Sequence, residues 1–178
     1  AKLPGPKANA RVPELHSTLL QSCCEFNHTV AADTSGRLPA CKHNPPHKYF
    51  ALIVDTATGF VVTVPMADKT GVSMAHTFLQ SWVSSFHAPA FARFDRGSEF
   101  VNKSFLSMLA SNGIQPIFTM VGAARALYAE RKNRDVKQTL RAVLATSQDQ
   151  SSWCLALPYI TASLNAAINQ GSGFSAYR

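Results

Sequence analysis

An acidic residue follows a short strand near the middle of the chain. Residues 90–94 form a short alternating apolar run, Asp95 comes next, and Gly97 interrupts the strand. In α/β sheets, ligands usually bind at the carboxyl ends of the strands. A carboxylate there can hold a hard divalent cation through oxygen or act as a general base. The alternative is that Asp95 caps the turn after its strand.

Other acidic residues stand in comparable places. Asp33 follows a weak predicted strand, and Glu130 lies on a predicted helix 35 positions after Asp95. Asp55 also ends a strand, but it begins a turn containing Thr and Gly, so we expect it to cap a hairpin. Glu99 comes four residues after Asp95, and we expect it to pair with a neighbouring base.

The helix of Glu130 is predicted over residues 122–146 and carries a row of basic residues. At about 100° per residue, the row lies within about 40° of Glu130, on a face distinct from the apolar stripe. The row consists of Arg134, Lys137 and Arg141, and the stripe of Val136, Leu140, Val143 and Leu144. Such a row either neutralises nucleic-acid phosphates or is a solvated face with ordinary i,i+4 Glu–Arg pairing.

The composition is that of one globular domain with a polyanionic partner. The chain has 178 residues, of which 46% are hydrophobic and 15% charged, which excludes a disordered chain. Its formal net charge of +7 favours nucleic acid, or less specifically an acidic membrane surface. No signal peptide and no apolar run of membrane-spanning length is evident, so we expect neither secretion nor membrane insertion.

The four cysteines are expected to be reduced thiols. They are Cys23, Cys24, Cys41 and Cys154. Cys41, His43 and His47 are possible ligands, but no second cysteine pair stands at zinc-site spacing, so we expect no metal there.

The predicted elements describe an α/β domain with a mixed sheet. Residues 1–24 are rich in Pro and Lys and are expected to form an extended lead-in, and residues 25–178 form the domain. Strands are predicted over 28–32, 49–54, 60–64, 90–94 and 114–119, and helices over 71–86, 102–112, 122–146 and 153–168.

Three stretches together resemble the catalytic core of retroviral and LTR-retrotransposon integrases. They are VAAD ending at Asp33, FDRGSEF around Asp95 and ERKNR starting at Glu130. Trp153, Asn165 and the ending GFSAY also fall where that family has Trp, Asn and a Gly-x-Ser-Pro-Tyr-like sequence. The resemblance covers roughly residues 25 to 178.

The resemblance implies an RNase H-like fold, with a five-stranded mixed sheet flanked by helices. It implies a polynucleotidyl transferase that trims 3′ ends of retroelement DNA and joins them to target DNA. Asp33, Asp95 and Glu130 would be the catalytic acids and would hold two Mg2+ or Mn2+ ions, with Asp33 bridging both. The implied DNA-binding residues are Arg131, Lys132, Arg134, Lys137 and Arg141.

The same resemblance implies partners and a location. The partners would be retroelement DNA ends, target DNA and further copies of the chain, in a homodimer or a higher integrase assembly. The place of action would be the nucleus or a viral or virus-like particle.

The stretch before Glu130 departs from the family pattern. The family usually reads HPxxNGxxER, whereas residues 123–131 read AARALYAER, with stronger helix formers in place of Asn-Gly. We therefore expect the loop that closes over DNA ends to be stiffer or partly helical. Ala176 also replaces the usual Pro. Two alternatives stay open: a domesticated or inactive integrase-derived domain that binds DNA or protein, and an RNase H-like nuclease that uses the same acids for hydrolysis.

Overall fold

A five-stranded mixed sheet is the centre of the structure, a computed structural model that describes residues 25–42, 46–119, 127–145, 149–168 and 173–177. The order of the strands across the sheet is β3-β2-β1-β4-β5. Their bounds are β1 (Thr29–Thr34), β2 (Tyr49–Asp55), β3 (Val61–Met66), β4 (Phe91–Phe94) and β5 (Gln115–Phe118). The predicted lead-in over 1–24 lies outside the described residues.

Strand direction changes at the middle of the sheet. β1 pairs antiparallel with β2, and β2 with β3, whereas β1 pairs parallel with β4, and β4 with β5. The two edge strands each contain a proline, Pro65 in β3 and Pro116 in β5. The predicted end of β3 near Pro65 is confirmed, since the strand ends at Met66, and an edge strand tolerates a residue without an N–H donor.

Helices cover both faces of the sheet. The first, α1, begins as Gly71–Phe78, continues through a π-helical segment, Leu79–Val83, and ends with Ser84–Phe86. The others are α2 (Lys103–Ser111), α3 (Leu127–Ala145) and, after a 3₁₀ turn (Gln150–Ser152), α4 (Trp153–Ala166). The predicted helix over 71–86 is thus confirmed, with a wider turn inside it. No helix among the described residues is both long and apolar enough to cross a membrane.

Two hydrophobic cores lie on opposite faces of the sheet, and alternation along β1 decides which face each residue meets. Val30 and Ala32 belong to the core beneath α1 and α2, whereas Ala31 belongs to the core beneath α3 and α4. Asp33 has the parity of Ala31, so its side chain is directed to the face covered by α3, which packs against β1.

The buried stripe of α3 differs in part from the predicted one. Val136 and Leu140 are buried as expected, but Val143, in the last turn of the helix, is 43% exposed. Towards the N-terminal end the stripe instead continues through Ala129 and Asn133, both buried. A polar side chain in a buried stripe needs a hydrogen-bond partner, and Asn133 finds that partner at the acidic site.

Candidate active site

Two of the predicted acids lie side by side on neighbouring parallel strands. In the register of β1 and β4, Ala31 is opposite Arg93. Two residues further along each strand come Asp33, near the end of β1, and Asp95, directly after β4. Because side chains alternate along a strand, both carboxylates are directed to the same face. Burial is the largest influence that raises the pKa of Asp33, and the negative charge of the nearby Asp95 raises it further.

The carboxylate of Asp33 is held by two donors. The backbone N–H of Thr34 donates to Oδ1 at 2.7 Å, and Nδ2 of Asn133 donates to Oδ2 at 2.6 Å. Burial, the largest influence, raises the pKa of Asp33 above its usual range. The two hydrogen bonds and the positive charge of Lys137 oppose that rise without cancelling it.

Asp95 stands on a compact loop anchored by aromatic rings. Phe94 and Phe100 are buried and stack with ring centroids 4.9 Å apart, so the loop between them is anchored at both of its ends. The Gly97 N–H donates to Asp95 Oδ1 at 2.9 Å, so Asp95 does cap its turn. A Cβ at Gly97 would lie 2.9 Å from oxygens of both Asp95 and Glu99, which explains a glycine there.

Glu99 has a structural role in the same loop. It is 5% exposed, accepts a hydrogen bond from Thr34 Oγ1 at 2.6 Å, and forms an ion pair with Lys69 at 3.0 Å. Burial acts to raise the pKa of Glu99, but the hydrogen bonds and Lys69 outweigh it and leave that pKa lowered. The expectation that Glu99 pairs with a base is confirmed.

Thr34 joins three segments around the acids. Its hydroxyl reaches Glu99 in the loop after β4, and its carbonyl accepts from Asn133 Nδ2 of α3 at 3.2 Å. Sequence reasoning assigned no role to Thr34 or Asn133. The available signal was the position of Asn133 three residues after Glu130, which places both on neighbouring turns of one helix side.

Glu130 lies in the first turn of α3 and is exposed. Its described contact is with Arg134, whose guanidinium is 4.0 Å away. Within the described part of the chain, Asp33, Asp95 and Glu130 do not all come within 4.8 Å of one another. The structure thus brings Asp33 and Asp95 together and places Glu130 on the helix whose next turn contacts Asp33. Of the stretch before Glu130 that was predicted to be stiffer or partly helical, residues 123–126 lie outside the described residues, and residues 127–129 belong to α3.

The basic residues of α3 flank this site on one side. Lys137 is close enough to Asp33 to lower its pKa, and Arg131 and Arg134 are exposed. Lys137 and Arg141 also line a cleft of about 430 Å³, together with Arg37 from the loop after β1. Of the remaining predicted residues, Lys132 is half-buried.

Asp55 caps the hairpin between β2 and β3, as expected. Its carboxylate is fully buried and accepts hydrogen bonds from the Thr58 N–H at 2.7 Å and the Ala57 N–H at 3.1 Å. Its second oxygen accepts from the Asn27 N–H at 2.9 Å. With these bonds made inside a turn, Asp55 does not belong to the acidic site.

Comparison with known sequences gives a family. The integrase core domain model matches residues 27–124, more than half of the chain. The chain is 31% identical over 143 residues to the Transposon Ty1-DR4 Gag-Pol polyprotein of Saccharomyces cerevisiae (strain ATCC 204508 / S288c). That match covers 75% of this chain and 9% of the polyprotein. The Transposon TyH3 Gag-Pol polyprotein of Saccharomyces cerevisiae is also 31% identical over 143 residues, which cover 75% of this chain and 8% of that polyprotein.

Comparison with solved structures agrees at the level of the fold. The HTLV-2 integrase catalytic core domain in complex with magnesium (trimeric form) matches with a TM-score of 0.66 at 21% identity, over 85% of this chain and 94% of that chain. The simian T-cell lymphotropic virus intasome in complex with PP2A regulatory subunit B56 gamma gives a TM-score of 0.71 at 16% identity, over 86% of this chain and 54% of that chain. The sheet and its flanking helices therefore form an RNase H-like fold, and the chain belongs to the integrase core domain family.

Proposed function

We propose that this chain is an integrase catalytic core, a polynucleotidyl transferase that trims the 3′ ends of retroelement DNA and joins them to target DNA. The observation that carries the proposal is the pairing of Asp33 with Asp95 at the ends of adjacent parallel strands, beneath the basic helix α3, whose first turn carries Glu130. Family membership supports the reaction class, and the acids supply the residues that it requires.

The side chains around Asp33 fit a hard divalent cation. Carboxylate oxygens are the donors that Mg2+ and Mn2+ prefer, and Asp33 and Asp95 offer them on one face. Oδ1 of Asn133 is buried and has no hydrogen-bond partner within the described ranges, so it can accept from water in the site. Asp33, Asp95 and Glu130 would hold two such ions, which would activate the attacking oxygen and stabilise the leaving one.

The remaining residues position these acids and the DNA. Thr34 and Asn133 fix the orientation of the Asp33 carboxylate, and the Gly97 N–H does so for Asp95. Lys137 and Arg141 would contact phosphates, which sets the position of a duplex without reading its sequence.

A second copy of the chain is a proposed partner. Leu155 and Tyr159 lie one turn apart on α4 and are 55% and 78% exposed. An exposed apolar pair of this kind suits a helix-mediated homodimer or a higher assembly. The proposed place of action is the nucleus or a virus-like particle.

The test is a titration with Mg2+ or Mn2+ using a branched DNA substrate and variants of the acids. We expect metal-dependent strand transfer by the wild-type chain and none by Asp33→Asn, Asp95→Asn or Glu130→Gln, with DNA binding retained. Asp135→Asn is the matched control, since Asp135 is an exposed acid on the same helix, and it is expected to keep activity.

The outcomes separate the alternatives. Hydrolysis without transfer would support an RNase H-like nuclease, and binding without either reaction would support an integrase-derived binding domain. Wild-type activity in any one of the three acid variants would remove that residue from the catalytic set.

A further inference from the structure

A cluster of soft donor atoms lies away from the acidic residues. Cys41 Sγ, a ring nitrogen of His47 and Cys154 Sγ all lie within 4.8 Å of one another. Among the described residues this is the only group of three or more His, Cys, Asp or Glu side chains that meets that limit. Cys41 and His47 come from the loop between β1 and β2, and Cys154 is the second residue of α4.

The distance between the Cys41 and His47 donors fits a tetrahedral zinc ion. With bonds of about 2.3 Å to sulfur and about 2.0 Å to nitrogen, the ligand atoms of such a site lie about 3.5 to 3.8 Å apart. Cys41 Sγ is 3.5 Å from His47 Nδ1. Two thiolates and an imidazole select zinc over the hard cations that carboxylates hold.

The surroundings of the donors also fit a bound metal. Cys41 and Cys154 are 4% and 6% exposed, whereas His47 is half-buried and lies closer to the surface, which leaves a path for an ion. The backbone N–H of His47 donates to Cys41 Sγ at 3.1 Å. A hydrogen bond to a ligating sulfur is the kind of outer contact that stabilises a thiolate and fixes its orientation.

Contacts outside the cluster hold the two segments in register. The Cys41 N–H donates to the His47 carbonyl at 3.0 Å, which closes the loop on itself. Trp153 Nε1 donates to the Pro39 carbonyl at 2.8 Å, and Lys42 pairs with Asp149 at 2.7 Å. The contacts of Trp153 with Pro39 and of Lys42 with Asp149 therefore bring the loop and the start of α4 together without using any of the three proposed ligand atoms.

We propose that Cys41, His47 and Cys154 bind one zinc ion that fastens the loop between β1 and β2 to the start of α4. Water takes the fourth position. The site is independent of the acids proposed for catalysis. If only the folded chain binds zinc, zinc raises the thermal stability of the protein, because a ligand that binds the native state shifts the unfolding equilibrium towards it.

The test uses the reduced, chelator-treated 178-residue chain, titrated with Co2+ and then Zn2+ in excess Mg2+. We expect thiolate-to-cobalt absorption that saturates at one ion per chain and is displaced by Zn2+. Cys41→Ser and Cys154→Ser are expected to abolish it. His47→Gln is expected to weaken binding by more than the about 10- to 100-fold that outer contacts contribute.

Matched controls separate this site from the others. Cys23→Ser/Cys24→Ser changes the two other cysteines of the chain, which are not proposed ligands, and should keep the absorption, as should Asp33→Asn. Absence of the absorption in the wild-type chain, its persistence in Cys41→Ser and Cys154→Ser, or its loss in the Cys23 and Cys24 variant would overturn the proposal.

A measurement on the wild-type chain covers the case in which a variant does not fold. Zinc should slow alkylation of Cys41 and Cys154, located by mass spectrometry, without slowing that of Cys23 and Cys24. Equal alkylation of Cys41 and Cys154 with and without zinc, or a disulfide between them that forms equally fast in both conditions, would contradict a zinc site.

Discussion

At the scale of single residues, Asn133 is a positioning residue for Asp33. Its amide spans Asp33 Oδ2 and the Thr34 carbonyl, so one side chain fixes the carboxylate against the end of β1. We expect Asn133→Ala to lower the rate of strand transfer about 10- to 100-fold, the range for outer contacts of metal ligands, and to raise the Mg2+ concentration needed for half-maximal rate. Strand-transfer assays over a Mg2+ series measure both quantities.

The control for Asn133 is Gln138→Ala, since Gln138 is an exposed amide on the same helix. A purely structural role would lower the melting temperature of Asn133→Ala and leave the Mg2+ requirement unchanged. That pattern would argue against the positioning role.

The lowered pKa of Glu99 predicts how the stability of the fold depends on pH. Its folded-state pKa lies below its ordinary value of 4.5, so the ionised side chain stabilises the fold above that pH. The stabilisation is lost as the pH falls through the lowered pKa. We expect Glu99→Gln to reduce the free energy of unfolding at neutral pH by about 1.5 to 3 kcal/mol, the scale of a hydrogen bond to a charged group.

Denaturant unfolding across the acid range tests this expectation. The difference between wild type and Glu99→Gln should shrink below about pH 4.5, whereas the exposed acid Glu25, changed to Gln, should cause little difference at any pH. A difference that is constant with pH would mean that Glu99 acts through packing rather than through its charge.

At the scale of elements, α3 carries the electrostatic prediction. Arg134 and Arg141 are exposed, and Lys137 is near enough to Asp33 for its charge to lower the pKa of that carboxyl, so the helix presents positive charge beside the acids. Each lost phosphate contact lowers the slope of log affinity against log salt by about 0.9. We expect the combined Ala substitution of these three residues to weaken DNA binding and to flatten the slope by about 2 to 3.

Lys103→Ala is the matched control for α3. Lys103 is exposed at the start of α2, on the opposite face of the sheet, and its loss should leave the slope unchanged. An unchanged slope in the triple variant would assign the basic row to an ordinary solvated face.

At the scale of the whole molecule, local patterns in the sequence predicted the elements and much of the fold. The unbroken apolar run of β2 and the helical spacing in α1 report burial directly, and the Asp55 turn follows from its Thr and Gly neighbours. Val143 was misassigned because spacing alone does not say where a helix stops being covered. The family resemblance, rather than spacing, linked Asp33, Asp95 and Glu130.

Contacts between distant segments were beyond such patterns. Asn133 and Thr34 are 99 residues apart, and Cys154 meets Cys41 only because α4 packs beside the loop after β1. The expectation that Cys41 and His47 bind no metal considered only their own stretch of chain. Residue spacing predicts which side chains are neighbours along one helix or strand. To predict a site that is assembled from several elements, one must also know how those elements are arranged in the fold.

The prolines of the two outermost strands bear on how copies of this protein can associate. Pro65 and Pro116 each remove a backbone donor from a margin of the sheet, where an added strand would otherwise bind. Growth of a continuous sheet from one molecule into the next is disfavoured at both margins. Multimers would therefore be built through helical surfaces, and exchange of subunits would leave every strand pairing intact.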